Sequence, residues 1–267
     1  MIRKPVVAGQ FYPDDPKELK KIILGMLPEK STLKTIARGI ILPHAGYVYS
    51  GKVAVTTVNK VFLKKNIILL GNNHSGQGED FALWSNGEWE TPLGNVPVNS
   101  EIAAEILKNG TTILADTLAH KFEHSIEVEL PILQQADGDI SIIPIACKPS
   151  IPAKYEAAAN QICAAIKNRT DVMFVASTDM THYEPDARVR KKDSLAIERI
   201  LALDPEGLLN VIKKEHITMC GAAPVAVFLY CMKLLGGRKA QVALFQTSAE
   251  ASNDYESVVG YAGIIVQ

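Results

Sequence analysis

The chain has 267 residues, with 28 basic and 29 acidic side chains and a formal net charge of -1. That balance excludes a protein that holds nucleic acid by bulk neutralisation of phosphates. Hydrophobic residues at 47% and charged residues at 21% suit a globular chain with a sizeable core, and no apolar run reaches the roughly 18 residues of a membrane-spanning helix.

Residues 1–15 read as irregular, with Gly9, Pro13 and two aspartates. Pro16 opens a helix whose apolar positions Leu19, Ile22, Ile23, Met26 and Leu27 share one face. Lys30 to Lys34 is a polar connection. The run Gly39-Ile40-Ile41-Leu42 is a strand that must stop at Pro43, which cannot donate to a sheet ladder, and His44 follows directly. Val53 to Leu63 has helical length but many β-branched residues, and is assigned as helix because it lies between two strands. The second strand, Asn66 to Leu70, runs into Gly71-Asn72-Asn73-His74-Ser75-Gly76.

Strand, helix and strand in this order predict a parallel, right-handed crossover. His44 and His74 would then follow the carboxyl ends of neighbouring parallel strands, on the edge where open α/β sheets bind ligands.

Residues 77–98, with two tryptophans and several turn residues, predict a hairpin-like excursion, and Ser100 to Lys108 a helix. Ala119 to Gln135 reads as a helix kinked or ended at Pro131, which would place His120 and His124 on one face. Strands follow at Ile140 to Ile145 and Asp171 to Ala176, separated by an Ala-rich helix over Ala153 to Lys167. The second of these strands runs into Ser177-Thr178-Asp179-Met180-Thr181-His182. Helices are predicted over Asp186 to Leu203, Pro205 to Lys214 and Gly221 to Leu235, with a loop from His216 to Cys220. Strands over Gln241 to Gln246 and Ser257 to Val266 close the chain. The expectation is an α/β fold with a central, mainly parallel or mixed sheet flanked by helices, in one domain spanning 1–267. Cys147, Cys163, Cys220 and Cys231 form no CxxC pair and read as free thiols of a reducing compartment. The amino-terminal residues lack an apolar signal core, so a cytoplasmic location is expected.

This order brings His44, His74, the Asp179 and His182 pair, and Cys220 towards one pocket. Imidazole, carboxylate and thiolate are the usual ligands of zinc, iron and copper. A catalytic metal site typically takes three protein ligands and leaves a position open. Two histidines with one anionic ligand meet that count. Cys220 precedes the Gly221 helix, whose amino terminus is expected to favour thiolate. Asp179 has three roles open to it: metal ligand, hydrogen-bond partner of a ligating histidine, or cap of the next turn. His182 suits proton transfer near neutral pH. His120 and His124 read as pocket-rim or hydrogen-bonded residues, His216 as surface, and Cys147, Cys163 and Cys231 as core. Tyr47 and Tyr49 line the pocket or pack beside it. There is no phosphate-binding loop, no GxGxxG after a strand and no GxSxG elbow.

The segments RKPVVAGQFYP, LPHAGYVYSG, GNNHSG, EHSIEVELPIL, STDMTHY and MCGAAPVAVF, in this order, resemble the MEMO family, whose prokaryotic members are called AmmeMemoRadiSam system protein B. The resemblance implies a fold similar to the class III extradiol dioxygenases. It implies metal ligands at His44, His74 and Cys220, with Asp179 and His182 as polar pocket residues. Iron is the implied metal, with copper or zinc as alternatives. Cys220 stands where the related dioxygenases use a carboxylate ligand. Animal members of the family mediate signalling to the cytoskeleton and bind phosphotyrosine peptides; prokaryotic members occur beside radical-SAM proteins.

The leading expectation is therefore a metal-binding protein with a dioxygenase-like pocket, performing redox or oxygen chemistry on a small substrate. In it His182 moves protons and Asp179 orients a ligand or water. Its rivals are a non-catalytic peptide-binding or scaffold module with a vestigial site, and a hydrolase using Cys220 as nucleophile. No nucleic-acid or membrane partner is expected.

Overall fold

The computed structural model describes residues 1–28 and 33–267; residues 30–32 of the expected polar connection lie outside the described residues. The apolar runs at Ile40–Leu42 and Ile67–Leu70 form strands in which every side chain is buried. They carry no polar alternation because the sheet is covered on both faces. Successive side chains go to opposite sides. Ile40, Leu42, Ile67, Leu69 and Val175 enter one apolar core, and Ile41, Ile68, Leu70 and Phe174 enter the other. Helices Pro16–Gly25 and Tyr47–Asn59 close the first core. Helices Ser100–Lys108, Pro152–Ile166 and Ala222–Leu234 close the second. The last of these is buried along nearly its whole length from Ala223 to Met232, as expected of a helix apolar all round.

Among the described residues the central sheet has nine strands and is mixed. From one edge the order is His182–Glu184, Val258–Val266, Gly39–Leu42, Val172–Ser177, Asn66–Asn72, Ser141–Cys147, Phe81–Leu83 and Leu114–Ala115, with Ala240–Thr247 also paired to Val258–Val266. The four central strands, from Gly39–Leu42 to Ser141–Cys147, are mutually parallel. Val258–Val266 joins this block antiparallel, and so does Phe81–Leu83 on the far side.

One expectation needs correction here. The His44 and His74 strands are parallel and end on the same edge, but they are not neighbours: Val172–Ser177 lies between them and pairs with both. A right-handed crossover fixes direction and hand, and leaves room for a later strand to insert. The insertion carries Asp179 to the edge between the two histidines.

Other boundaries shift for local reasons. The helix expected from Val53 starts earlier, at Tyr47, and ends at Asn59; Val61–Phe62 pairs with Thr35–Ile36 instead. Gly51 lies where this helix crosses Met26, and a Cβ there would fall 2.7 Å from the Met26 sulfur. Residues 77–98 contain the expected hairpin, Glu88–Thr91 against Gly94–Pro97, and Ile2–Arg3 of the supposedly irregular amino terminus adds a parallel strand to it. The long helix expected over residues 119–135 does not form. Leu118–His120 and Glu127–Glu129 are single 3-10 turns, and the α-helix is only Leu130–Ala136. Pro131 sits in the first turn of that helix, so it starts the helix rather than ending one. No helix among the described residues is long and apolar enough to cross a membrane.

Candidate metal centre

The carboxyl edge of the central strands forms the floor of a cavity of about 460 Å³. His44, His74, Asp179, His182 and Cys220 all line it, joined by His124, Phe11, Tyr49, Tyr183 and Tyr261. A larger cavity, about 920 Å³, opens at the opposite, amino end of the strands around Arg38 and Val172; its described lining has no histidine or acidic side chain. Cavity size therefore does not single out the candidate site; ligand chemistry does.

Three imidazoles converge on the floor. His44, His74 and His124 each offer a ligand atom, and these atoms all lie within 4.8 Å of one another. The His74 and His124 rings stack at 4.7 Å and 14°, while His44 stands edge-on to both at 5.4 and 5.5 Å. His44 is fixed by its position directly after Pro43. Its backbone N–H donates to Asp179 Oδ1 at 2.8 Å, and its Nδ1 lies 2.8 Å from Ser177 Oγ. Ser177 Oγ is also 2.8 Å from Glu129 Oε1 and from the Ser125 carbonyl. When the hydroxyl donates to one of these acceptors, its oxygen accepts from His44 Nδ1–H and leaves Nε2 unprotonated. His74 is held by Glu123, which accepts from the His74 backbone N–H at 2.6 Å and from Nδ1 at 2.8 Å. The same carboxylate accepts from the backbone N–H groups of His124 and Ser125, both at 2.9 Å, and lies 3.7 Å from His124 Nδ1.

The electrostatics suit a cation. Burial holds His44 well below the ordinary imidazole value, and His124 and His74 push it further down. Burial likewise lowers His124. Both are therefore neutral ligands near pH 7, as metal binding requires. Burial alone would lower His74, but the Glu123 hydrogen bond and charge outweigh it and raise the ring. Burial would raise Glu123, yet the bond from His74 and the converging N–H groups bring it to about 2. Imidazoles whose Nδ1 atoms face protein oxygens are what a transition-metal site needs outside its inner ligands. The residues present fit such an ion.

Cys220 sits beside this triad, with Sγ 3.4 Å from His44 Nε2. The Asp179 backbone N–H donates to that sulfur at 3.2 Å. The thiol is nevertheless not activated as expected. Loss of water around the sulfur, and the Asp179 charge beside it, push it up to about 12. The helix begins only at Ala222, so Cys220 lies before its cap, where a helix end contributes at most about 1 kcal/mol. This removes the support for a free Cys220 thiolate nucleophile. Gly221 is required by the tight crossing there: a Cβ would lie 2.3 Å from Thr178 Cβ and 2.5 Å from the Ser177 carbonyl.

Asp179 is buried in the floor, and burial raises it to about 6 against the opposing hydrogen bond from His44. It serves as an acceptor for the His44 backbone. His182 lies at the mouth, its backbone N–H donating to Thr218 Oγ1 at 2.7 Å and its Nδ1 2.9 Å from the Thr218 carbonyl. A carbonyl only accepts, so Nδ1 carries the proton and Nε2 is the ring's acceptor.

His124 is the pocket histidine whose place in the triad was not anticipated. The false helix paired it with His120, which instead turns away: His120 is fully buried against Trp84 and Trp89, and its Nε2 lies 2.8 Å from the Ala82 carbonyl. The usable signal was Glu123 immediately before His124, a carboxylate beside a histidine in an apolar stretch. His216 is exposed, Cys147 and Cys231 are buried, and Cys163 is partly buried. Tyr47 packs inside, donating to the Val128 carbonyl at 2.8 Å, while Tyr49 lines the cavity.

A family profile described as "Memo-like protein" matches residues 3–265. A MEMO1 family protein of Methanopyrus kandleri is 38% identical over 280 residues, covering 99% of each chain. Another, from Thermotoga petrophila, is 39% identical over 280 residues and covers all of both chains. Among solved structures, an uncharacterized protein of Escherichia coli K12 shares the fold at a TM-score of 0.57 and 14% identity, over 85% of this chain and 98% of that one. With a profile match from end to end and relatives of this similarity over the full length, the chain belongs to the Memo family.

Proposed function

We propose that the chain is a metal-dependent protein whose ion, assigned as iron, rests on His44, His74 and Cys220, with His124 as a further donor on the same floor. The observation that carries this is the approach of three imidazole ligand atoms to within 4.8 Å, with the Cys220 sulfur 3.4 Å from His44 Nε2. Nitrogen and sulfur donors suit iron, copper or zinc and disfavour magnesium or calcium. When bound, the ion supplies Lewis acidity and one-electron redox chemistry, which we assign to redox or oxygen chemistry on a small substrate.

The chain's own groups supply the rest. His182 Nε2 accepts a proton from a hydroxyl held at the mouth. Asp179 fixes the His44 backbone, so the first ligand cannot swing out of the floor. Phe11, Tyr49 and Tyr261 wall the cavity against water.

The test is metal analysis of protein purified without air, for wild type, His44→Ala, His124→Ala and Cys220→Ser. Iron in wild type with loss in His44→Ala is expected, together with a fall in Cys220→Ser. Equal metal in wild type and His44→Ala overturns the proposal. Retention in Cys220→Ser with loss in His124→Ala reassigns the third ligand to His124. Zinc or copper in place of iron overturns the iron assignment.

A further inference from the structure

Above the metal floor, the cavity has a charge character of its own. Its lining includes two carboxylates, Asp179 and Asp254, and, among the described residues, no lysine or arginine. The histidine carrying a raised affinity for protons, His74, is already matched by Glu123. Four aromatic rings face the space: Phe11, Tyr49, Tyr183 and Tyr261. Tyr183 holds a positive φ of 58° and is 76% exposed, so the backbone accepts strain while the ring stays in solvent at the rim.

Tyr261 is the most telling of the four. It is 2% exposed and lines the cavity, and its hydroxyl, without a hydrogen-bond partner among the described residues, opens into that space and is not sealed in the core. A phenol hydroxyl that opens onto a cavity is free to bond what the cavity holds. Burial raises this hydroxyl far above its ordinary value, and the Asp179 carboxylate beside it acts in the same direction. At the rim, Asp254 Oδ1 accepts the Glu256 backbone N–H, and Oδ2 has no protein partner among the described residues.

Taken with the reading of this cavity as the functional site, on which it rests, we infer that the pocket binds a small aromatic ligand carrying an ammonium group. Its ring lies among Phe11, Tyr49 and Tyr183, its ring hydroxyl meets Tyr261, and its ammonium meets Asp254. A cavity of about 460 Å³ holds one or two rings. Aromatic faces stabilise a cation over them, and a carboxylate at the rim adds to that. A phosphate or carboxylate tail finds no arginine or lysine in the described lining to receive it. A phosphotyrosine side chain would bring a dianion to a wall that has Asp179 and Asp254 and, among the described residues, no lysine or arginine.

The test uses metal-free protein, so that no ion can recruit an anionic probe to the floor. Three probes share a benzene ring and differ in charge: tyramine, 4-hydroxyphenylacetate and phenyl phosphate. Isothermal titration at low salt is expected to show tyramine bound about tenfold more tightly than either anion, the gap between attraction and repulsion at a partly exposed charge. Asp254→Asn should remove most of that preference, and Tyr261→Phe should weaken tyramine several-fold while leaving phenethylamine unchanged. Equal or tighter binding of either anion overturns the inference. So does tyramine binding that Asp254→Asn leaves intact, or no tyramine binding up to ~10 mM, the weak end of small-ligand affinity. Metal analysis fails or succeeds separately: a chain that prefers tyramine but binds no metal defeats the metal proposal alone.

Discussion

Glu123→Gln is the sharpest perturbation of the site, because one carboxylate organises two of its histidines. Glu123 is 1% exposed and accepts from His74 Nδ1 and from the backbone N–H groups of His74, His124 and Ser125. Burial acts to raise it, but these donors bring it from 4.5 to about 2. At about 1.4 kcal/mol for each pH unit, the charged carboxylate contributes about 3 kcal/mol to folding. The sign follows from the direction. A depressed carboxyl stabilises above its unfolded value of 4.5, and that contribution is lost as pH falls towards 2. His74 is raised from 6.5, so its share is complete below 6.5 and fades as pH rises through its folded value. Glutamine keeps one acceptor but presents an NH₂ group to some of these donors. The stability gap between wild type and Glu123→Gln should therefore be about 3 kcal/mol near pH ~5.5 and shrink on both sides. Urea unfolding of metal-free protein across pH 3 to 9 measures it. Metal affinity of the variant should fall about 10–100-fold, the usual cost of losing a partner behind a ligand. A gap below ~1 kcal/mol, or one independent of pH, refutes the assignment of Glu123 as a charged clamp.

Three further outcomes are expected. Arg3→Met should cost about 3–5 kcal/mol in urea unfolding, because it strands the fully buried Glu127 carboxylate that Arg3 neutralises; a loss below ~1 kcal/mol would show that Val6, Val7 and Tyr12 satisfy that charge unaided. Burial raises Asp193 from 3.8 to about 6 against the Thr181 hydrogen bonds, so the charged form costs stability above pH 6, and the cost is relieved as pH falls towards 3.8. Relative to Asp193→Asn, wild type should gain about 3 kcal/mol on that acidification, and a flat difference refutes it. Gly221→Ala should lose about 1–3 kcal/mol by overpacking against Thr178 and should weaken metal binding by displacing Cys220, both read in the same unfolding and metal-loading assays.

Much of the fold was legible because the strands are written as unbroken apolar runs and the helices carry their own stops. Ser100–Lys108 and Pro205–Lys214 fall where their caps and breakers put them. The edge bearing the site was legible too, since three strands each end in a polar or histidine-bearing turn. Adjacency of strands was not. Which strand inserts between two parallel neighbours is decided by packing of helices over the whole sheet, and Val172–Ser177 carries no local mark of its central place. The segment from Ala119 to Gln135 misled for a clear reason. Its apolar spacing is helical, but Glu123, Glu127 and Glu129 are all buried, and their partners pull the backbone into separate turns. Carboxylates in a helical pattern read as a solvated face until their partners, which lie more than 45 residues away, are known.

Those three acidic side chains explain why the candidate site is held by polar contacts and not by apolar packing. Each faces a different part of the chain. Glu123 holds His74 and the turn carrying His124. Glu127 holds the amino-terminal segment through Arg3, Val6, Val7 and Tyr12, and that segment lays Phe11 against His124 at 5.0 Å. Glu129 reaches Ser177, and through it His44, while burial holds its carboxyl well above the ordinary value. A buried carboxylate contributes little net stability over an apolar residue, but it accepts only from donors at defined angles. In this arrangement the acidic segment ties three distant pieces of chain together at once, and the three imidazoles are turned towards one another.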